Sequence, residues 1–172
     1  MVELHRQNLK YNKKKYKEVK KILRTRINKN MPIEHIGSTI LPNMYGKNII
    51  DILVGVNEEN EMDKYSDILI ELGYFPGNHN SGNYRFFAST KEETKMGDVH
   101  IHLVYIDSDR YRDFITLRDY LLSNKEERKA YSDLKRKLIS DGTNIREDYK
   151  VTKSKYVSDL LIRTKKYMKN NY

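Results

Sequence analysis

The chain has 172 residues, enough for one hydrophobic core and short for two, and its 33 Lys and Arg against 24 Asp and Glu give a formal charge of +9. That field attracts polyanions such as nucleotides, RNA or acidic surfaces without choosing among them. No apolar run approaches the roughly 18 residues that span a bilayer and the charged start lacks a signal-peptide stretch, so no membrane association is expected and cytoplasm is the expected address; zero Cys removes disulfides, zinc ribbons and thiol nucleophiles.

In the first segment Tyr16, Val19, Leu23 and Ile27 recur at three- and four-residue steps, which predicts an amphipathic helix with most of its Lys residues facing water. Leu9 lies two turns earlier, but Asn12 falls on the same stripe, so the helix is expected to begin near Asn12 and not at Leu9, with Asn12 as a candidate cap. Pro32 stops any helical path, and residues 33–36 form a short extended run before Gly37, Ser38 and Thr39. A loop over 41–47 precedes residues 48–56, a nearly continuous β-branched run that reads as a covered strand interrupted by Asp51. Helical spacing returns over 62–72 with Gly73 as a stop, turn chemistry fills 76–83, and 84–88 with 98–106 read as two hairpin strands. Helices are expected over 109–122, over 125–139 behind an Asn124 cap, and over 147–168, with Asp141-Gly142 parting the last two. With no repeat, low-complexity tract or long linker, residues 1–172 read as a single domain.

Three constellations carry chemistry. A Gly-Ser pair directly after a strand lets backbone approach a ligand closely while the hydroxyl and amides meet phosphate oxygens, although Gly37-Ser38 alone is equally an ordinary turn. Asp51 inside an apolar strand is costly unless paired, hydrogen-bonded or bound to a cation. Alternation puts Asp98, His100 and His102 on one strand face, where two imidazoles can share a metal or phosphate, do acid/base work, or simply form a polar face. His5, His35 and His79 lack such company.

The segments Glu34-His-Ile-Gly-Ser-Thr39, Lys47, Ile49-Ile-Asp-Ile52 and His100-Ile-His-Leu103 resemble the GrpB family of the nucleotidyltransferase superfamily. So do the stretches 114–124 and 131–138, and 149–157 with Lys153 and Lys155, so the likeness runs from about residue 12 to 165. It implies an α/β, α+β-like fold: a mixed sheet flanked by helices, with a helical C-terminal part. It also implies a metal-dependent nucleotidyltransferase that takes a nucleoside triphosphate and an unidentified small-molecule or protein acceptor. Carried over by position, Gly37 and Ser38 bind phosphate, Asp51 is the first of the superfamily's two strand acids, and Leu53 stands where the second belongs. One carboxylate is a thin Mg²⁺ site. The expected divalent cation is Mg²⁺ or Mn²⁺, with Zn²⁺ a further option; Asp51 with His100 and His102 would complete its ligand set and favour Mn²⁺ or Zn²⁺, or Asp51 and His102 act as catalytic groups. Lys47 and Arg85 are candidate phosphate neutralisers, or plain surface charges. Alternatively the loss of the acid at Leu53 leaves a catalytically degenerate nucleotide-binding or protein-interaction module. RNA binding through the basic helices is a weaker reading, and oligomeric state is not legible.

Overall fold

The computed structural model describes residues 3–78, 80–90, 97–140 and 146–171; His79 and the Asp141-Gly142 break lie outside the described residues. In chain order the elements are β1 (His5–Arg6), α1 (Leu9–Arg26), β2 (Ile33–Ile36), β3 (Tyr45–Gly46), β4 (Ile50–Val56), a 3₁₀ turn (Glu59–Glu61), α2 (Met62–Glu71), β5 (Tyr74–Pro76), β6 (Tyr84–Ser89), β7 (Val99–Tyr105), α3 (Asp109–Ser123), α4 (Lys125–Ser140) and α5 (Arg146–Asn171).

Helix α1 starts ahead of Asn12. Asn8 caps it, accepting the Tyr11 amide at 3.1 Å, which corrects the cap expected at Asn12. Asn12 instead sits inside the helix, 2% exposed, and sends its side-chain amide to Gln7 Oε1 and to the Thr39 carbonyl, each at 3.1 Å. A polar residue on an apolar stripe is tolerated here because its hydrogen bonds are made. The stops behave as the sequence predicts: Gly73 takes φ +84° after α2, and Asn124 Oδ1 accepts the Glu127 amide at 3.0 Å to open α4.

Five strands form one mixed sheet in the order β2-β4-β7-β6-β5, parallel between β4 and β7 and antiparallel elsewhere; β1 and β3 make a separate two-stranded ribbon. Because strand side chains alternate, β4 gives Ile50, Ile52, Val54 and Val56 to one face, and β7 gives Val99, Ile101 and Leu103. Val19 and Leu23 of α1 and Tyr65 and Leu69 of α2 close over that face, none of them more than 8% exposed. Each fully buried Leu, Ile or Val contributes roughly 1.5–3 kcal/mol by leaving water.

On the other face Ile36, Leu53, Tyr84 and Val104 meet Tyr111, Phe114 and Ile115 of α3. A further cluster of Leu41, Met44, Leu121, Tyr131 and Leu160 ties the loop after Ser38 to α3, α4 and α5. The result is a mixed sheet flanked by helices with a helical C-terminal region. Among the described residues no helix is long and apolar enough to cross a membrane.

Candidate functional site

Strand register assembles the site. β2 pairs with β4 so that Ile36 stands opposite Asp51, which delivers Gly37 to the edge of the Asp51 carboxylate. Gly37 has φ +74°, and a Cβ there would overlap Asp51 Oδ2, so the close approach requires glycine. Ser38 follows, and a Cβ on Gly46 would lie 2.6 Å from its hydroxyl, so Gly46 permits the return of the loop against the turn.

A buried polar network holds the turn from behind. The Thr39 hydroxyl and His35 Nε2 share a 2.9 Å hydrogen bond, and His35 stacks on Tyr16 with ring centroids 4.8 Å apart. Asn12 donates to Gln7, and Gln7 donates to Asn48 Oδ1 at 3.0 Å, at a point where Asn48 takes φ +56°. Burial lowers the His35 imidazolium to about 4, with Asp51 opposing and Arg118 assisting, so the ring is neutral at physiological pH.

Parallel pairing of β4 with β7 sets His100 beside Asp51 and His102 beside Leu53. His100 Nδ1 lies 3.1 Å from Asp51 Oδ1, and His102 Nε2 lies 3.8 Å from the same oxygen. Burial alone would push the Asp51 carboxyl up, but the hydrogen bonds and charges of His100 and His102 outweigh it and hold Asp51 well below the usual carboxylate range. Asp51 is therefore an ionised acid held by two imidazoles. Tyr84 bonds His102 Nδ1 through its hydroxyl at 3.0 Å, and the rings of Phe86 and Phe114 flank His102 at 5.3 and 4.9 Å.

Across from the turn, α4 supplies a group that sequence reasoning missed. Lys135 is 2% exposed, has no hydrogen-bond or ion-pair partner among the described residues, and holds Nζ 4.8 Å over the Tyr131 ring. Burial lowers the Lys135 ammonium to about 7, the Lys153 charge on α5 adding to that and the Asp51 charge opposing it. Ser132 on the same helix accepts the Tyr45 amide at 3.2 Å, which anchors α4 to the loop after the turn. The signal was present in the sequence: Lys135 falls on the α4 stripe with Tyr131 and Leu138, where an apolar residue belongs.

The remaining expected residues divide. Lys47, next to Gly46, is exposed with its ammonium 5.0 Å over the Tyr149 ring, on the side of the turn that faces Lys153. Arg85 stands opposite Leu103, so alternation puts it on the α1–α2 face, where it bonds the Ser81 carbonyl and pairs with Asp63 at 3.4 Å. Asp98 precedes β7 and is engaged by Lys15 of α1 and by Ser89, away from the two histidines with which it was expected to share a face. Arg118 joins α3 to β2 through Glu34 at 2.8 Å and holds Asp119 at 2.7 Å.

Asp51, His100 and His102, the residues expected to share a metal, come together at the sheet edge of the turn. Among the described residues no group of three or more His, Cys, Asp or Glu is placed to hold a metal ion. Asp51 Oδ1 is taken by His100, Oδ2 lies against Gly37, and two imidazoles with one carboxylate do not suit hard, oxygen-seeking Mg²⁺.

A mixed sheet carrying a Gly-Ser turn over a strand acid, with C-terminal helices opposite, defines the class as a nucleotidyltransferase-type fold. A crystal structure of the Cid1 poly(U) polymerase with MgGTP bound superposes on 76% of this chain and 42% of its own, with a TM-score of 0.52 and 12% identity, a likeness of fold alone. The crystal structure of conserved protein GrpB from Enterococcus faecalis covers 96% of this chain and 99% of its own at a TM-score of 0.82 and 24% identity. The family model described as GrpB protein matches residues 1–163, and the chain belongs to the GrpB family. The glutamate-rich protein GrpB of Alkalihalophilus pseudofirmus is 31% identical over 156 residues, 87% of this chain and 88% of that protein. A UPF0157 protein of Streptomyces coelicolor is 30% identical over 125 residues, 73% of this chain but 64% of that protein, so the alignment spans less than two thirds of the Streptomyces sequence.

Proposed function

We propose that the chain binds a nucleoside triphosphate with its phosphates over the Gly37-Ser38 turn and transfers the nucleotidyl group to a small-molecule or protein acceptor. The observation that carries this reading is the contact of the Gly37 backbone with the ionised Asp51, an approach that only glycine allows. Ser38 and the amides of the turn supply donors for phosphate oxygens. Lys153 supplies positive charge from α5 with Lys47 at the rim, and Lys135, held near 7 by burial, takes up its proton when a triphosphate lies beside it.

His100, not His102, is the better base. Its Nδ1–H donates to Asp51, which fixes the tautomer and leaves Nε2 to take a proton, and its side chain is 28% exposed against 14% for His102. In the transfer the acceptor hydroxyl gives its proton to His100 Nε2 while its oxygen bonds the α-phosphorus. The bond from that phosphorus to pyrophosphate breaks, and the lysines offset the departing charge. No step is assigned to a cation.

A second reading, nucleotide binding without transfer, is favoured by Leu53, which is 0% exposed in an apolar cluster with Ile36, Tyr84 and Val104 where the superfamily's second acid would stand. Pyrophosphate release from each common triphosphate, with acceptor pools and with or without Mg²⁺, Mn²⁺ or Zn²⁺, separates the two. Transfer predicts release that falls on the order of 10²-fold or more in Asp51→Asn and in His100→Gln. Tight nucleotide binding with no release under any condition sinks transfer and leaves the binding module.

A further inference from the structure

We propose that Tyr84 is a positioning residue: its hydroxyl holds the His102 ring and fixes which nitrogen His102 turns toward Asp51. Its consequence for transfer rests on the function proposed above, whereas the tautomer itself does not.

Tyr84 is 6% exposed on β6, and the Arg110 guanidinium lies 4.3 Å over its ring from α3. Its hydroxyl reaches His102 Nδ1 at 3.0 Å, while His102 Nε2 lies 3.8 Å from Asp51 Oδ1. An imidazole between a phenol and a carboxylate has two neutral forms, and they are not equivalent here. The ionised Asp51 favours a proton on Nε2, which leaves a lone pair on Nδ1, and the phenol is the donor that satisfies it. Burial pushes the Tyr84 phenol up to about 12, with Arg110 opposing and Asp51 reinforcing, so it keeps its proton for that purpose. His102 then turns its Nε2–H toward Asp51 at 3.8 Å, an electrostatic contact that helps keep the carboxylate ionised for His100. The aromatic neighbours Phe86 and Phe114 limit the ring's translation but carry no polar atom that distinguishes one nitrogen from the other.

Long-range ¹H–¹⁵N correlation of the histidine rings in the full-length protein tests this, with His102 assigned from its missing signal in His102→Gln. The wild type is expected to show one His102 tautomer, protonated on Nε2, and Tyr84→Phe to show shifts averaged between the two. Phe114→Leu, which alters the packing but spares the hydroxyl, is expected to keep the single tautomer. An unchanged His102 in Tyr84→Phe overturns the proposal, as does averaging in Phe114→Leu equal to that in Tyr84→Phe. Absence of nucleotidyl transfer in the wild type would instead remove the function proposed above and leave the tautomer result standing.

Discussion

A methyl group at position 37 meets two obstacles, the left-handed backbone and the Asp51 carboxylate. Gly37→Ala is accordingly expected to cost about 1–3 kcal/mol, the usual range for forced overpacking, seen as a lower urea midpoint at an unchanged slope. Lys135 makes the opposite prediction. A nearly buried amine whose charge faces only the Tyr131 ring carries a desolvation penalty, so Lys135→Met is expected to stabilise the fold by about 1–4 kcal/mol while weakening triphosphate binding. A Lys135→Met protein that melts lower, or binds nucleotide as well as the wild type, would show that this lysine serves packing alone. Much of this scale was legible. Gly37, Asp51, His100 and His102 stood out because each departs from its surroundings in type or spacing. Lys135 did not, since it lies in a Lys-Arg-Lys run that reads as solvated surface until the helical stripe is counted through it.

At the scale of elements, the strands around Asp51 followed from apolar runs and alternation, and the helices from period and caps. The β1–β3 ribbon was not legible because two-residue strands have no periodicity, and β5 was hidden because Pro76 reads as a turn signal although it sits on the last strand of the sheet, where an edge tolerates proline. Arg85 was expected near the phosphates from its place along the chain; its register opposite Leu103 turns it to the other face. The network under the Gly-Ser turn makes its own prediction. His35 falls from an ordinary 6.5 to about 4 in the fold, so between these values the unfolded chain binds a proton that the folded chain refuses. Its contribution is whole above pH 6.5 and lost as pH falls toward 4, a change on the order of 3 kcal/mol. Urea unfolding at a series of pH values should show this acid slope, and His35→Gln should flatten it; an equal slope in both proteins would place the titration elsewhere.

For the whole molecule, the charge of +9 is not concentrated at the site. Lys10, Lys14, Lys17, Lys21 and Arg24 line the exposed side of α1, whose buried side packs on the sheet face away from Asp51. Reversing Lys17 and Lys21 to Glu is therefore expected to leave nucleotide affinity within about twofold at physiological salt, where the Debye length is about 8 Å. The central claim is that the turn, Asp51 and the facing lysines form one triphosphate site, and the thermal shift of the purified chain with each nucleoside triphosphate tests it most directly, with and without divalent cation. A rise in melting temperature is expected with a triphosphate, a smaller one with the matching nucleoside, and loss of the difference in Lys135→Met. A protein that melts cooperatively but shifts with no triphosphate under any cation, or shifts equally in Lys135→Met, would contradict that claim.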